Sequence, residues 1–281
     1  MYRRRADGRG GGGFSKTRIL IALAVAIFSL LSYCGSRSYN PFTEEEQYVS
    51  ISKEQEIALG LQAAPEMAQQ FGGLDRDEAA QALVDQVGER IVAANDLGES
   101  EYPFEFHLLG DPETINAFAL PGGQIFITAA LFDRLETEGQ LAGILAHEIV
   151  HVIARHSAQQ MANAQLTQGL TGAAVIAAYD PENPGTQASA QVAALIGQMI
   201  NMKFGRDDEL QSDELGVYYM AEAGYDPRAL IVVMEILAEA AGPNRQPEFF
   251  STHPNPDNRI GNIEEAIANV FPGGVPEGLE E

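Results

Sequence analysis

Two things are scarce in this 281-residue chain: cysteine and, past residue 37, positive charge. The single cysteine, Cys34, rules out an intramolecular disulfide and any metal site of the Cys-x-x-Cys kind. A bound metal therefore has to be held by His, Asp and Glu. Seven of the 17 Lys and Arg residues fall in 1–37 beside one acid, Asp7, so the rest of the chain sets ten basic residues against 39 acidic ones, a formal −29. Such a surface repels phosphate backbones, which argues against nucleic acid as a partner. It repels anionic lipid as well, so any membrane attachment has to be apolar or covalent. No internal repeat recurs, and there is one long apolar segment, ILIALAVAIFSLLSYCGS at 19–36. Its eighteen residues span about 27 Å as a helix, against a hydrocarbon core of about 30 Å.

Six basic residues precede that segment and one follows it, which orients the N-terminus to the cytoplasm and the rest of the chain outside. The segment reads as a retained anchor, a cleaved signal peptide, or the leader of a lipoprotein, since LSYC resembles a bacterial lipobox ending at Cys34. The chain accordingly divides into a signal or anchor segment at 1–37, a linker at 38–51 and one folded domain at 52–281. A helix is expected from Ser52, and another after a cap at Asp75 with Glu78 three residues on. Between 103 and 128 the runs FEFHLL, INAFAL and QIFIT alternate and are punctuated by Asp111-Pro112 and Pro121-Gly122-Gly123, the pattern of a small antiparallel sheet. Thr137 and Gln140 form a capping box for a long helix, and further helices follow at 207–223, after Asp226-Pro227 and after Pro256. Helix, sheet, then helices makes the fold class α+β.

The long helix carries LAGILAHEIVHVIARH, 141–156. His147 and His151 lie one turn apart on one face, so both imidazoles can reach a single ion while Glu148 projects beside it. Two zinc ligands and a general base are the mechanical content of His-Glu-x-x-His, and histidines satisfied within a core are the alternative. A catalytic site needs a third protein ligand. Glu209 and Asp213, again four apart on a helix, offer Glu209 as that ligand and Asp213 as acceptor for the far N–H of an imidazole. On so acidic a protein the same pair also reads as a solvated face.

HEIVH followed by ELQSD, with NAFALPGG upstream and STHPNPDNRI downstream, resembles the gluzincin metallopeptidases that include the CAAX prenyl proteases, HtpX and bacterial periplasmic envelope proteases. The resemblance covers about residues 40–271. It implies a mostly helical zincin-type domain and one Zn²⁺ per chain on His147, His151 and Glu209, with Glu148 as base and Asp213 in support. It further implies an endopeptidase acting on misfolded or damaged envelope polypeptides. One apolar segment places the chain nearer the compact periplasmic members than the multi-spanning ones, and without the tetratricopeptide tail that some of them carry.

With that chemistry in view, Gly122, Gly123, Gln124, Ile125 and Phe126 read as a groove-lining edge strand to which a peptide adds by backbone hydrogen bonds. His253 reads as a donor to the oxyanion, or as the fourth zinc ligand of a resting state. His156, five residues past His151, is expected to point away from the metal, and His107 to be a packed strand residue. The nearly uncharged region 169–200, broken by DPENPG, reads as core packing or as a lid over the groove. A non-catalytic chaperone or assembly factor would use the same groove, but binding alone needs no base at 148.

Overall fold

The computed structural model describes residues 16–178, 204–241, 247–256 and 258–281. The described parts of 1–37 and 161–201 form one compact unit, and those of 38–160 and 202–281 the other.

In the first unit, helix α1 (Lys16–Gly35) packs against residues 161–178 of helix α6 (His156–Ala178). Gly169 permits the approach: a Cβ there would lie 2.0 Å from Ser29 Oγ. Tyr33 Oη donates to Asn163 Oδ1 at 2.8 Å. The rest of α1 is apolar and open, with Leu20, Phe28 and Leu31 each about two-thirds or more exposed, and it is long and apolar enough to cross a membrane. The DPENPG break and the second apolar piece, and with them the lid reading, lie outside the described residues.

The second unit starts where a linker was expected. Strands β1 (Arg37–Asn40) and β2 (Glu45–Tyr48) pair, and Asn40 is buried with its Nδ2 donating to the Ile153 carbonyl at 2.8 Å. Residues 38–51 are therefore tied to the folded unit rather than loose, because a polar side chain closes off the end of a core helix. Helix α2 (Lys53–Gln70) begins with a complete Ser52–Gln55 capping box. Helix α3 (Glu78–Ala94) is capped by Asp77, which accepts from Ala79 and Ala80; Asp75 instead accepts from the Asp77 N–H, ordering the turn one step earlier.

The sheet is mixed. Strands β3 (Glu105–Leu109), β4 (Ala117–Ala119) and β5 (Gln124–Thr128) lie in the order β3-β5-β4, with β3/β5 parallel and β4/β5 antiparallel. The expected groove edge, Gln124–Phe126, thus belongs to the central strand, buried along its whole length. Ile125 and Ile127 enter the main core, and Phe126 stacks on Phe118 on the other face. The Pro121-Gly122-Gly123 turn is closed as well. Gly122 and Gly123 have φ of 85° and 107°, and a Cβ on Gly122 would lie 2.4 Å from Ile57 Cα in α2. The glycines allow a close approach, of α2 to Gly122 and of the Pro103 backbone to Gly123. A short apolar run does not say which strands flank it, which is why the order emerges only in the fold.

Of the two outer strands, β3 is blocked. Gln81 of α3 accepts from Leu108 N–H at 2.8 Å and donates to the Phe106 carbonyl at 2.9 Å, taking the place of a neighbouring strand. On β4, residues 116 and 120 bond to β5 through Thr128 N–H to Asn116 O and Leu120 N–H to Gln124 O. Antiparallel alternation then turns the N–H and C=O groups of Ala117 and Ala119 to the opposite side.

Helix α4 (Ala129–Phe132) leads to α5 (Glu138–Ile153), whose residues 139–153 are all buried. Thr137 accepts from Gln140 N–H at 3.3 Å, while the Gln140 side chain reaches Glu136 N–H at 2.7 Å, so the expected capping box is only half formed. Helices α7 (Arg206–Glu222), α8 (Ala229–Ala240), α9 (Phe249–Thr252) and α10 (Arg259–Val270) complete the unit.

Candidate metal centre

The site forms where α5 and α7 touch. Gly216 of α7 faces the His147 backbone, where a Cβ would sit in ordinary van der Waals contact at 3.5 Å, and the Glu209/Asp213 face of α7 is turned onto the motif. His147 Nε2 lies 3.1 Å from His151 Nε2 and 3.4 Å from Glu209 Oε2, and His151 Nε2 lies 3.5 Å from Glu209 Oε1. The α9 turn supplies a fourth group: His253 Nδ1 is 3.3 Å from His147 Nε2 and 3.1 Å from Glu209 Oε1. Tetrahedral zinc with bonds of about 2.0–2.1 Å separates its ligand atoms by roughly 3.3–3.4 Å. The observed spacings bracket that edge length, so these four side chains can hold one metal ion.

The unpaired atoms fit the same centre. Both Glu148 oxygens, Glu209 Oε2 and His253 Nε2 are buried without a hydrogen-bond partner among the described residues. Groups of that kind are costly in a core unless something polar joins them. Three imidazoles and a carboxylate, with no thiolate, form a donor set suited to zinc.

The electrostatics follow from burial. Burial alone would lower the His147 imidazole, but its hydrogen bonds to the Asp213 and Glu209 carboxylates outweigh burial and hold its pKa at about 9. Burial together with the facing His147 drives His151 well below its ordinary value. Burial pushes the Glu148 carboxyl up. Glu209 and Asp213 fall below the usual carboxylate range despite burial, because His253 and His147 face the first and Arg259 and His147 the second. An arriving cation has to displace the His147 proton, so binding releases protons and weakens in acid.

Each predicted residue has a definite place. Asp213 Oδ1 is 2.9 Å from His147 Nδ1, the contact expected of an orienting acceptor. His253 is fully buried, stacked on Phe249 at 4.5 Å between ring centroids, with its Nε2 3.5 Å from Glu148 Oε1. Gly122 to Phe126 are not part of this cluster. His107, as expected, packs in a strand, stacked on Phe126 at 4.7 Å. His156 does not point away. The helix stops at Ile153, Arg155 turns through a φ of 59°, and the His156 ring returns to lie 2.9 Å from His151 Nδ1. The angle expected for an unbroken helix fails because the helix is broken.

Sequence reasoning also passed over Arg259. Arg259 is 3% exposed, and its guanidinium grips Asp213 with two bonds, Nε to Oδ2 at 2.6 Å and Nη2 to Oδ1 at 2.8 Å. A cation as first residue of α10 opposes the helix dipole, a legible sign that it is held by something else. Arg259→Leu should destabilise the protein by about 3–5 kcal/mol, because Asp213 stays buried without its cation. Denaturant unfolding of the zinc-loaded protein measures this, and a change under 1 kcal/mol would contradict it.

Fold and site together have the features of the zinc metallopeptidases. Residues 78–267 match the sequence model of peptidase family M48, and the chain belongs to that family. It is 29% identical over 268 residues to the beta-barrel assembly-enhancing protease of Escherichia coli K12, an alignment covering 90% of this chain and 53% of that protein. It is 30% identical over 236 residues to the mitochondrial metalloendopeptidase OMA1 of Schizosaccharomyces pombe, covering 83% and 67%. It is 26% identical over 269 residues to the human mitochondrial metalloendopeptidase OMA1, covering 91% and 51%. The chain spans about half the length of the E. coli and human relatives.

Proposed function

We propose that this protein is an endopeptidase that hydrolyses polypeptides with Glu148 as general base and His147, His151 and Glu209 as zinc ligands. The observation that carries the reading is the Glu148 carboxylate, buried without a hydrogen-bond partner among the described residues, beside four ligand atoms that all lie within 4.8 Å of one another. A zinc ion bound there would polarise the scissile carbonyl and acidify a water. Glu148 takes the proton of the attacking water and returns it to the leaving amine, and the low-dielectric surroundings that raise its pKa suit it to both steps. Asp213 and Arg259 hold the His147 ring. His253 would be a fourth ligand to a bound ion in a resting state, and the α9 turn that carries it would move aside for a substrate.

The polypeptide backbone pairs with the outer side of β4, at Ala117 and Ala119, one strand earlier than the sequence suggested; both residues are buried, so the α9 turn beside them has to move for a peptide to reach that side. The Ile115 carbonyl on that same edge already accepts from Phe249 N–H at 3.2 Å, which puts the edge beside the His253 turn. The substrates are misfolded or damaged envelope proteins and the setting is extracytoplasmic. The chain is held at the membrane by α1 or by lipid on the exposed Cys34. Supporting this are the apolar α1, the basic residues before it, and the likeness to a protease named for β-barrel assembly. Degradation of casein by the full chain should stop on chelation and return with zinc. Ala119→Pro should raise KM for an unstructured peptide several-fold, for one or two backbone bonds of about 0.5–1.5 kcal/mol each, with zinc content unchanged. Chelator-resistant degradation would refute the proposal.

A further inference from the structure

The His156 ring is buried and placed against the far side of a predicted metal ligand. Its Nδ1 lies 2.9 Å from His151 Nδ1, and its Nε2 lies 2.9 Å from Gln211 Oε1. Gln211 Nε2 in turn donates to the exposed carboxylate of Glu45 at 2.8 Å. Four side chains from β2, α5, α6 and α7 thus form a continuous line from the cluster to the surface.

The proton positions along this line follow from one requirement. Two ring nitrogens at 2.9 Å need one N–H and one lone pair between them. His151 faces His147 and Glu209 with Nε2, and a metal ligand must present a lone pair there. Its proton is therefore on Nδ1 and is donated to His156 Nδ1. His156 then carries its proton on Nε2 and donates to the Gln211 oxygen, which leaves the Gln211 amide to donate to Glu45. Glu45, a carboxylate that only accepts, ends the chain with the polarity the metal end demands. No member can flip without breaking a bond.

The backbone is bent to make this possible. Arg155 is a non-glycine residue in the left-handed region, and the conformation persists because Glu56 holds it. Arg155 Nε donates to Glu56 Oε1 at 2.7 Å, Arg155 Nη2 bonds the same oxygen, and Nη2 also reaches the Ile51 carbonyl at 2.8 Å. Glu56 is 1% exposed and takes a further bond from Tyr102 Oη at 3.0 Å. This clamp carries the chain out of α5 and into α6 with His156 turned back on the motif.

We propose that His156 is a positioning residue for the metal ligand His151, fixing its ring plane and its Nδ1–H tautomer through the line His151–His156–Gln211–Glu45. Asp213 does the same for His147, so each motif histidine has its own partner, one anionic and one neutral. The proposal rests on the zinc-site reading above.

The test uses the full chain and zinc alone, with affinity read by competition with a chromophoric chelator. His156→Phe fills the space without an acceptor and should weaken zinc by about 10- to 100-fold. His156→Asn offers an amide oxygen to His151 Nδ1–H and should return affinity to within a few-fold of wild type. A merely structural role would instead make both variants lose affinity in step with the stability of the zinc-free protein. Imidazole ¹⁵N–¹H NMR of the zinc-loaded wild type gives an independent reading, needed if His156→Phe does not fold. The proton should be on His151 Nδ1 and on His156 Nε2. Wild-type affinity in His156→Phe, or a proton on His156 Nδ1, overturns the proposal and leaves the zinc site standing. A wild type that binds no zinc removes both.

Discussion

Glu148→Gln should leave zinc content and fold intact and reduce kcat by a factor on the order of 10² to 10⁴, the range for removing a general base. The side chain is fully buried, and neither oxygen has a hydrogen-bond partner among the described residues, so an amide of the same shape disturbs no existing bond. What it removes is basicity. A carboxylate accepts the proton of the attacking water and passes it to the departing amine, and an amide can do neither. Burial already raises the Glu148 pKa, so a neutral replacement costs nothing in desolvation, and the thermal midpoint should hold or rise. Steady-state hydrolysis of an unstructured peptide beside metal analysis tests this. Activity near wild type would assign the proton transfer to another group.

Metal analysis should find about one zinc per chain, and His151→Ala should lose most of it together with all peptidase activity. His151 is one of four groups that could hold the ion, and removing it leaves Glu209, His147 and His253 to do so alone. The zinc-free wild type should also be less stable, because binding to the native state alone adds about 4 kcal/mol when zinc is a thousandfold above its Kd. For a folded unit of this size that corresponds to roughly 8–16 °C in thermal midpoint. Unchanged zinc in His151→Ala would overturn the assignment of the site, and an unchanged midpoint on chelation would separate the ion from the fold.

Much of this was legible in the chain because it is local. His147 and His151, and again Glu209 and Asp213, meet through a spacing of four, which a helix converts into a shared face whatever surrounds it. Ser52 and Gln55 cap α2 within four residues, and Gly224 stops α7 by itself, with a φ of 82°. The α+β class, the metal chemistry and the membrane-length helix all rest on such short-range patterns.

Tertiary structure decided what depends on distant partners. Gln124–Thr128 carries three consecutive apolar residues that suit burial on both faces, and it is central because β5 lies between β3 and β4, while Gln81 seals β3 in turn. Residues 38–51 look like a linker until Asn40 meets the Ile153 carbonyl, 113 positions away. Arg259 finds Asp213 across 46 positions, and no periodicity links them. His156 is the sharpest case. Five residues of continuous helix put its ring on the wrong side of His151, and the single left-handed residue between them, held by a carboxylate 99 positions upstream, turns it back. A helical pattern propagates angle from one residue to the next, but where the helix breaks, direction is set by whichever partner holds the break, and that partner is supplied by the fold.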